Sequence, residues 1–297
     1  MNGDGPDFIC VGMQKAGTGW LFDQLKLHTD FWVPPIKGTY YLHNPVTKES
    51  RARDLLKIIA SPHEFRKRVA CLRPVNAHDV TFLKLLDSYV GTARNLQRYA
   101  ALFRFGSGRI SGEITPGYSD LDERTIAHIA ARFPGVRVVV LVRDPVERAW
   151  SQISMTYREG KFDPAILQDD SAFRSFLNSS EGIKKFAYPT EIVKRWKRAA
   201  PNVTLRPFFF DEIATDPGGV RRLIISFLGG DPNKPSGDIA PGHNRKSRDR
   251  KLEMSDRLKS VIVNHFANEL RECSAIFGQH AETWKSRYLM GRDAMAA

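Results

Sequence analysis

The stretch FICVGMQKAGTGWL, at residues 8–21, runs from a short apolar segment through a glycine-rich turn into an amphipathic pattern. This order predicts a β-strand, a loop and an α-helix whose first turn offers unpaired backbone N–H groups. Such groups, together with the helix dipole, stabilise a bound phosphate. Because Lys15 adds a positive charge inside the loop, the stretch predicts an α/β fold with an anion site after its first strand.

Gly12 and Gly17 in this loop are separated by four residues, which is the glycine spacing of nucleoside triphosphatase P-loops. Those P-loops continue with Lys and then Ser or Thr, whereas this chain has Thr18 and Gly19. The hydroxyl that would bind Mg²⁺ is therefore not in its place. A P-loop nucleotide kinase is the alternative enzyme, and a tight turn without a ligand is the alternative for the loop taken alone.

A second strand-to-helix junction reads VRVVVLVRDPVERAWS at residues 136–151. Its β-branched first half is typical of a buried parallel strand. Asp144 suits the N-cap of the following helix, Pro145 suits its first position, and Glu147 completes a capping box. The sequence therefore predicts a strand and a helix that meet at residues 143–145.

This junction also carries side chains that bind phosphate. Arg143 lies at the carboxyl end of the predicted strand, and Arg148 and Ser151 follow about one and two turns into the helix. Guanidinium and hydroxyl groups beside a helix N-terminus predict a phosphate clamp. Arg143 and Ser151 are the preferred ligands, because a salt bridge to a neighbouring carboxylate is an equally good use of Arg148.

Strand-like and helical patterns alternate along the chain and predict a parallel β-sheet with helices on both faces. Ligands bind such sheets at the carboxyl ends of the strands. We expect one domain over residues 1–297, with the basic, helical segment 45–104 as a lid or acceptor wall. The predicted strands are 8–11, 136–142 and 203–210, the helices 20–27, 147–157, 220–228 and 254–277, and the surface loop 229–242.

The chain has 45 Lys and Arg residues against 33 Asp and Glu, a net charge of +12 that suits an anionic partner. A nucleic-acid-binding protein is a further alternative, although no nucleic-acid motif supports it. Cys10, Cys71 and Cys273 show no metal-ligand spacing and are expected to be reduced thiols. With a strand so near the start and no long apolar stretch, we expect a cytoplasmic protein without signal peptide or membrane span.

Two motifs now resemble a known family. The residues QKAGT at 14–18 resemble the 5′-phosphosulfate loop of the sulfotransferase superfamily, and RDP at 143–145 with Ser151 resembles its 3′-phosphate motif. Weaker similarities are GEITPGY at 112–118, Tyr188 with Trp196, and Asn244 before the basic run 245–251. The bacterial and carbohydrate-type branch is the most similar.

The resemblance implies a P-loop-like sulfotransferase fold and transfer of a sulfuryl group from 3′-phosphoadenosine 5′-phosphosulfate (PAPS). The acceptor would be a hydroxyl, or an amine, of a small molecule or carbohydrate, and adenosine 3′,5′-bisphosphate (PAP) would be released without any metal. Lys15 would stabilise the leaving phosphate. The residues implied in donor binding are Lys15, Ala16, Gly17, Thr18, Gly19, Trp20, Arg143, Ser151, Tyr188, Arg245 and Lys246.

One departure from the family concerns the catalytic base. Carbohydrate sulfotransferases carry a Lys-Glu pair before two aromatic residues, whereas this chain reads KGTYYLH at 37–43. Lys37 keeps the family position and is expected to contact the sulfuryl group, but Gly38 replaces the Glu. His43 and Glu113 are the candidate bases. The alternatives are structural roles for both, an acceptor that needs no base, or a base from residues 45–104.

Overall fold

The computed structural model describes residues 5–43, 45–46, 51–59, 75–243 and 252–290. Within these residues the chain forms a five-stranded sheet in the order β2-β3-β1-β4-β5, and each pair of neighbouring strands is parallel. The strands are β1 (Phe8–Gly12), β2 (Phe31–Trp32), β3 (Ile110–Ile114), β4 (Arg137–Val142) and β5 (Thr204–Phe209).

Helices occupy most of the remaining described chain. They are α1 (Thr18–Lys26), α2 (Arg51–Ile59), α3 (Ala77–Ser88), α4 (Leu96–Ala101), α5 (Glu123–Arg132), α6 (Pro145–Arg158), α7 (Asp170–Ser179), α8 (Glu181–Phe186), α9 (Pro189–Ala199), α10 (Phe210–Thr215), α11 (Pro217–Leu228), α12 (Asp256–His265), α13 (Ala267–Phe277) and α14 (Gln279–Leu289). Short 3₁₀ turns cover Leu102–Gly106, Pro116–Asp120 and Pro164–Gln168. The predicted α/β class, a parallel sheet with flanking helices, is confirmed.

The sheet brings the two predicted phosphate motifs together. β1 and β4 are adjacent, with Cys10 opposite Val139 and Gly12 opposite Val140. The backbone N–H of Met13 donates to the carbonyl of Leu141 at 2.8 Å, so pairing continues past the end of β1. Because parallel strands end at the same edge, the glycine-rich loop and Arg143 lie side by side.

The two central strands are buried on both faces, as their apolar sequences predict. β1 is buried along its whole length, and β4 is buried from Val138 to Val142. Parallel strands that are covered by helices on both faces have no residues facing solvent, and their sequences are therefore apolar throughout. The core therefore lies directly beneath the edge where the strands end.

The C-terminal region differs from the prediction of one helix over 254–277. α12 ends at His265, Phe266 makes a turn, and α13 begins at Ala267. Phe266 is fully buried and packs against Tyr188 with ring centroids 5.5 Å apart. The third helix, α14, was not predicted, and neither was the two-residue strand β2, whose pairing with β3 is a long-range contact.

Other predictions are decided only in part by the described residues. Within residues 45–104 the structure shows α2, α3 and α4, with a non-helical segment at 89–95 between α3 and α4, whereas 47–50 and 60–74 lie outside the described residues. Cys10 and Cys273 are buried free thiols, and Cys71 lies outside the described residues. No helix in the described part of the chain is long and apolar enough to cross a membrane.

Candidate functional site

The loop between β1 and α1 presents backbone donors at the carboxyl edge of the sheet. Gly17 caps α1 with φ 94°, and no side chain among the described residues caps this helix N-terminus. A Cβ atom on Gly17 would lie 3.2 Å from Phe210 and 3.3 Å from Ile213. The loop therefore needs glycine both for its left-handed backbone and for its close contact with α10.

Arg143 connects this loop to the second motif. Its Nη1 donates to the carbonyl of Lys15 at 3.0 Å, and its Nη2 lies 3.4 Å from the Glu147 carboxylate. The guanidinium carbon lies 4.4 Å from the ring centroid of Phe210, a cation–π contact. These contacts tie the side chain to the loop after β1, to α6 and to the end of β5.

Arg143 is also incompletely satisfied. Its Nε is buried and has no hydrogen-bond acceptor among the described residues. Burial lowers the pKa of the guanidinium, which nevertheless stays charged at neutral pH. A buried, charged donor without an acceptor is costly, so an anion at this position would be stabilised.

The start of α6 follows the predicted pattern, with one correction. Asp144 is fully buried and its Oδ1 accepts the backbone N–H of Val146 at 2.8 Å, with Pro145 at the first helical position. Glu147 was predicted to complete a capping box. Its carboxylate instead pairs with Arg143, four residues earlier.

Arg148 holds the glycine-rich loop through a hydrogen bond to its backbone. It is fully buried and donates to the carbonyls of Gln14 at 3.2 Å and Gly182 at 3.1 Å, and to the Gln152 side chain at 2.6 Å. Burial, and secondarily the charge of Arg143, lower its pKa to about 9. All three acceptors are neutral oxygens rather than the carboxylate that the sequence suggested. Ser151 lies one turn further along α6 and is half-buried.

Glu113 lies at the centre of a hydroxyl cluster. Its carboxylate is 1 % exposed and accepts hydrogen bonds from Thr115 at 2.6 Å, Tyr118 at 3.0 Å, and the hydroxyls of Thr39 and Tyr99. Burial raises the pKa of this carboxyl despite these bonds. The cluster joins β3 to residues 37–43, so Glu113 has a clear structural role.

His43 differs from Glu113 in its access to solvent. The ring stacks on Tyr40 and packs edge-on against Tyr118, each at a centroid distance of 5.7 Å. It borders a polar cleft of about 510 Å³ that Arg94 and Asp120 also line. Burial lowers the pKa of His43, which favours the neutral, proton-accepting form.

Lys37 lies near enough to β1 for its charge to act on Cys10, and Gly38 follows it in the chain. Burial raises the pKa of the Cys10 thiol to about 12, and the charge of Lys37 lowers it in part, so that ammonium acts at the end of β1. Gly38 has φ 80°, in the left-handed region that disfavours side chains. The residue that replaces the family glutamate thus occupies a conformation suited to glycine.

The remaining predicted donor ligands have varied positions. Trp20 is buried in α1, and its indole N–H donates to the carbonyl of Pro241 at 2.5 Å. Tyr188 precedes α9, and its hydroxyl lies 3.2 Å from Nε2 of His265. Asn244, Arg245 and Lys246 lie outside the described residues.

Sequence reasoning missed two contributors to this edge of the sheet. Phe210 follows β5 and stacks on Arg143, in the same relation to its strand that Arg143 has to β4. Tyr288 in α14 donates its hydroxyl to Asp144 at 2.8 Å. The first could have been found from its place at the carboxyl end of a predicted strand, whereas no local pattern marks the second.

The fold and the site define an α/β protein with two adjoining strand-loop-helix junctions at the carboxyl ends of β1 and β4. The sulfotransferase family model matches residues 6–232. The chain therefore belongs to the sulfotransferase family. No curated protein sequence matches it significantly.

One of two similar solved structures shows the same fold. A sulfotransferase from Alicyclobacillus acidocaldarius has a TM-score of 0.62 at 21% sequence identity, over 94% of this chain and 98% of that chain. The sulfotransferase domain of the Synechococcus PCC 7002 olefin synthase has a TM-score of 0.46 at 18% identity, over 77% and 75% of the two chains. The family match supports sulfuryl transfer as the general activity of this chain.

Proposed function

We propose that this enzyme transfers the sulfuryl group of PAPS to a hydroxyl group of a small-molecule or carbohydrate acceptor. The observation that carries the proposal is the hydrogen bond from Arg143 to the carbonyl of Lys15. It joins the two anion-binding features into one surface, as a nucleotide with separate 5′- and 3′-phosphate groups requires. A ligand with phosphate at only one end would leave one feature unused.

The residues present fit such a nucleotide. Among the described residues no side chain caps the N-terminus of α1, which suits one phosphate group, and none accepts from the buried Nε of Arg143, which suits the other. When bound, the nucleotide supplies an activated sulfuryl group on a phosphate leaving group. Ser151, half-buried on α6, and the basic residues 245–246 remain predicted ligands of the 3′-phosphate.

Each step of the transfer has a residue in the proposal. The acceptor oxygen bonds to sulfur, the bond from sulfur to the phosphate oxygen breaks, and its electron pair stays on the phosphate. Lys15 stabilises that negative charge, and Lys37 stabilises the sulfuryl oxygens. The acceptor proton passes to a base, for which His43 is now preferred, because Glu113 already accepts four hydroxyl hydrogen bonds.

A titration with nucleotides tests the donor. We expect PAP to bind without metal, and Arg143→Ala to weaken PAP by about 10- to 100-fold, as loss of a charged hydrogen bond implies. The affinity for adenosine 5′-monophosphate, which lacks the 3′-phosphate, should fall by less than about threefold in the same variant. Arg206→Ala is the matched control, because Arg206 is exposed on β5 and contacts Phe208.

Two results would contradict the proposal. Equal losses for the two nucleotides in Arg143→Ala would remove the 3′-phosphate assignment. Stabilisation in thermal-shift experiments by ATP with Mg²⁺, but not by PAP, would favour the alternative nucleotide kinase. At 100 times its Kd, a ligand raises the unfolding free energy by about 2.7 kcal/mol, so either ligand would be readily detected.

A further inference from the structure

The last described helix, α14, bonds to two aspartates, one next to Arg143 in the chain and one next to Phe210. It begins at Gln279, beyond the end of the family match at residue 232. Its Tyr288 bonds to Asp144, the residue next to Arg143 in the chain. Its Trp284 bonds to Asp211, the residue next to Phe210, on whose ring Arg143 stacks.

The contact at Asp144 is buried and specific. The two carboxylate oxygens have different partners: Oδ1 accepts the Val146 N–H at 2.8 Å, and Oδ2 accepts the Tyr288 hydroxyl at 2.8 Å. Asp144 is fully buried and Tyr288 is 8 % exposed. Arg287 also approaches Oδ2, at 3.5 Å. The Asp144 carboxylate thus caps the N-terminus of α6 and also holds α14 in place.

The contact at Asp211 holds the other side of Arg143. The indole N–H of Trp284 donates to Oδ2 of Asp211 at 2.5 Å, and Trp284 is fully buried. Asp211 lies in the first turn of α10, directly after Phe210. α14 therefore links the end of β4 to the end of β5, and Arg143 lies between the two links.

We propose that Tyr288 is a positioning residue that holds Arg143 ready for the 3′-phosphate of the nucleotide by means of its hydrogen bond to Asp144. The inference rests on the proposed donor. Arg143 has a long, flexible side chain, and its orientation depends on the backbone of residues 143–145 and on the ring of Phe210. A clamp that is already ordered binds more tightly, because less conformational freedom is lost on binding.

The bond from Tyr288 works best while Asp144 is ionised. Burial raises the pKa of Asp144 to about 6, and the Tyr288 hydrogen bond opposes that rise. A protonated Asp144 is a weaker acceptor than the carboxylate, so both of its hydrogen bonds would weaken. The titratable or charged groups that face it are Arg143, Glu147, Cys273, Arg287 and Tyr288.

Tyr288→Phe tests the inference, since it removes only the hydroxyl and keeps the ring. We expect PAP to bind about 10-fold more weakly at pH 8, because a hydrogen bond to a charged group is lost. The affinity for adenosine 5′-monophosphate should change by less than about twofold. Ser274→Ala is the control, because it removes a hydroxyl that joins α13 to Glu282 of α14 away from Arg143. This control should leave both affinities unchanged.

The pH dependence separates positioning from a general loss of structure. The 3′-phosphate titrates identically with both proteins, so its ionisation cancels in the affinity ratio of Tyr288→Phe to wild type. We expect the difference in PAP affinity to be large at pH 8 and clearly smaller at pH 5, where Asp144, with a pKa of about 6, is mostly protonated. A ratio independent of pH, or equal losses for both nucleotides, would overturn the inference.

A second variant tests the same hydrogen bond in case Tyr288→Phe folds poorly. Asp144→Asn should show the same selective loss for PAP, and the double variant should lose no more than the worse single variant, because both changes break one bond. Additive losses would overturn the inference. If wild-type protein shows no preference for PAP over the monophosphate, the proposed donor itself fails, which is a different result from a preference that Tyr288→Phe leaves intact.

Discussion

Lys15 is the side chain whose charge lies inside the glycine-rich loop. Its backbone has φ 70°, and its carbonyl accepts the Arg143 hydrogen bond, so the main chain at this residue contributes to the site independently of the ammonium group. A substitution that removes only the side chain therefore leaves the link between the two motifs in place. The role of the charge can be measured separately from the role of the loop.

We predict that Lys15→Ala lowers turnover by about 10²- to 10³-fold, because its charge meets the leaving phosphate mainly in the transition state. Nucleotide affinity should fall by less than about 10-fold, because Lys15 is only partly buried and its charge acts mainly on the transition state. Steady-state kinetics and PAP titration would check this, with Lys161→Ala as the control at an exposed surface position. Wild-type turnover in Lys15→Ala would exclude a catalytic role.

The base is a second question for individual residues. We predict that His43→Ala lowers the transfer rate by about 10²- to 10⁴-fold with intact PAP binding, as removal of a general base does. With an acceptor identified by screening alcohols, phenols and glycans with labelled donor, the wild-type rate should fall as pH drops through the pKa of His43. That pKa lies below the usual value of 6.5, because the ring is partly buried.

The comparison variant for the base is Glu113→Gln. Burial raises the pKa of Glu113 and lowers that of His43, so the two pH profiles lie closer together than the ordinary values suggest. The two variants therefore distinguish His43 from Glu113 as the base better than the pH profile does. Glu113→Gln should lower the unfolding free energy by about 1–3 kcal/mol, because hydroxyl donors lose their acceptor. Full transfer activity in His43→Ala with loss only in Glu113→Gln would reverse the preference.

Among the elements, the junction of β1 with α1 is the most constrained. Gly17 and Gly19 are two residues apart, but their surroundings are opposite. Gly17 is buried with φ 94° beside Phe210, whereas a Cβ atom on exposed Gly19 would meet nothing within 4 Å. The pair therefore allows the same substitution to be made at a constrained and at an unconstrained position.

We predict that Gly17→Ala lowers the unfolding free energy by about 1–2 kcal/mol and weakens PAP binding, because an L-residue is strained at this φ. Gly19→Ala should raise the unfolding free energy by up to about 1 kcal/mol, since alanine favours a helix interior over glycine. Chemical denaturation and PAP titration of both variants would check this. A stabilised Gly17→Ala protein with wild-type affinity would contradict the assignment of this loop.

At the scale of the whole molecule, the C-terminal helices attach to the sheet domain through buried carboxyl groups. Glu269 in α13 accepts the backbone N–H of Thr190 at 3.0 Å and its hydroxyl at 2.9 Å, at the start of α9. Burial raises the pKa of Glu269 to about 7. Its protonated form is therefore favoured in the folded protein more than in the unfolded chain.

The raised pKa of Glu269 makes the free energy of unfolding depend on pH. Between the ordinary pKa of 4.5 and the folded value of about 7, the folded protein binds more protons at Glu269, so its contribution to stability is lost as pH rises through this range. We predict that Glu269→Gln removes up to about 3 kcal/mol of this change between pH 5 and pH 8. Denaturant unfolding at both pH values would measure it; parallel pH profiles of variant and wild type would contradict it.

The elements that carry the two predicted phosphate motifs follow from local sequence alone. The β-branched run before Arg143, the cap at Asp144 and the glycine-rich loop at 12–17 are local signals, since each depends on neighbours within one strand or helix turn. These signals placed β1, α1, β4 and α6 within two residues of their observed starts and ends. The resemblance of the same motifs to sulfotransferases also identified the family before any geometry was available.

Only the tertiary structure decided which residues support those motifs. The contacts of Arg143 with Phe210, of Asp144 with Tyr288 and of Glu113 with Tyr99 join parts of the chain that no periodic pattern relates. Likewise, burial of Phe266 against Tyr188 accompanies the break in the predicted C-terminal helix. Local propensity depends on near neighbours, whereas burial and long-range hydrogen bonds exist only after the sheet has brought distant segments together.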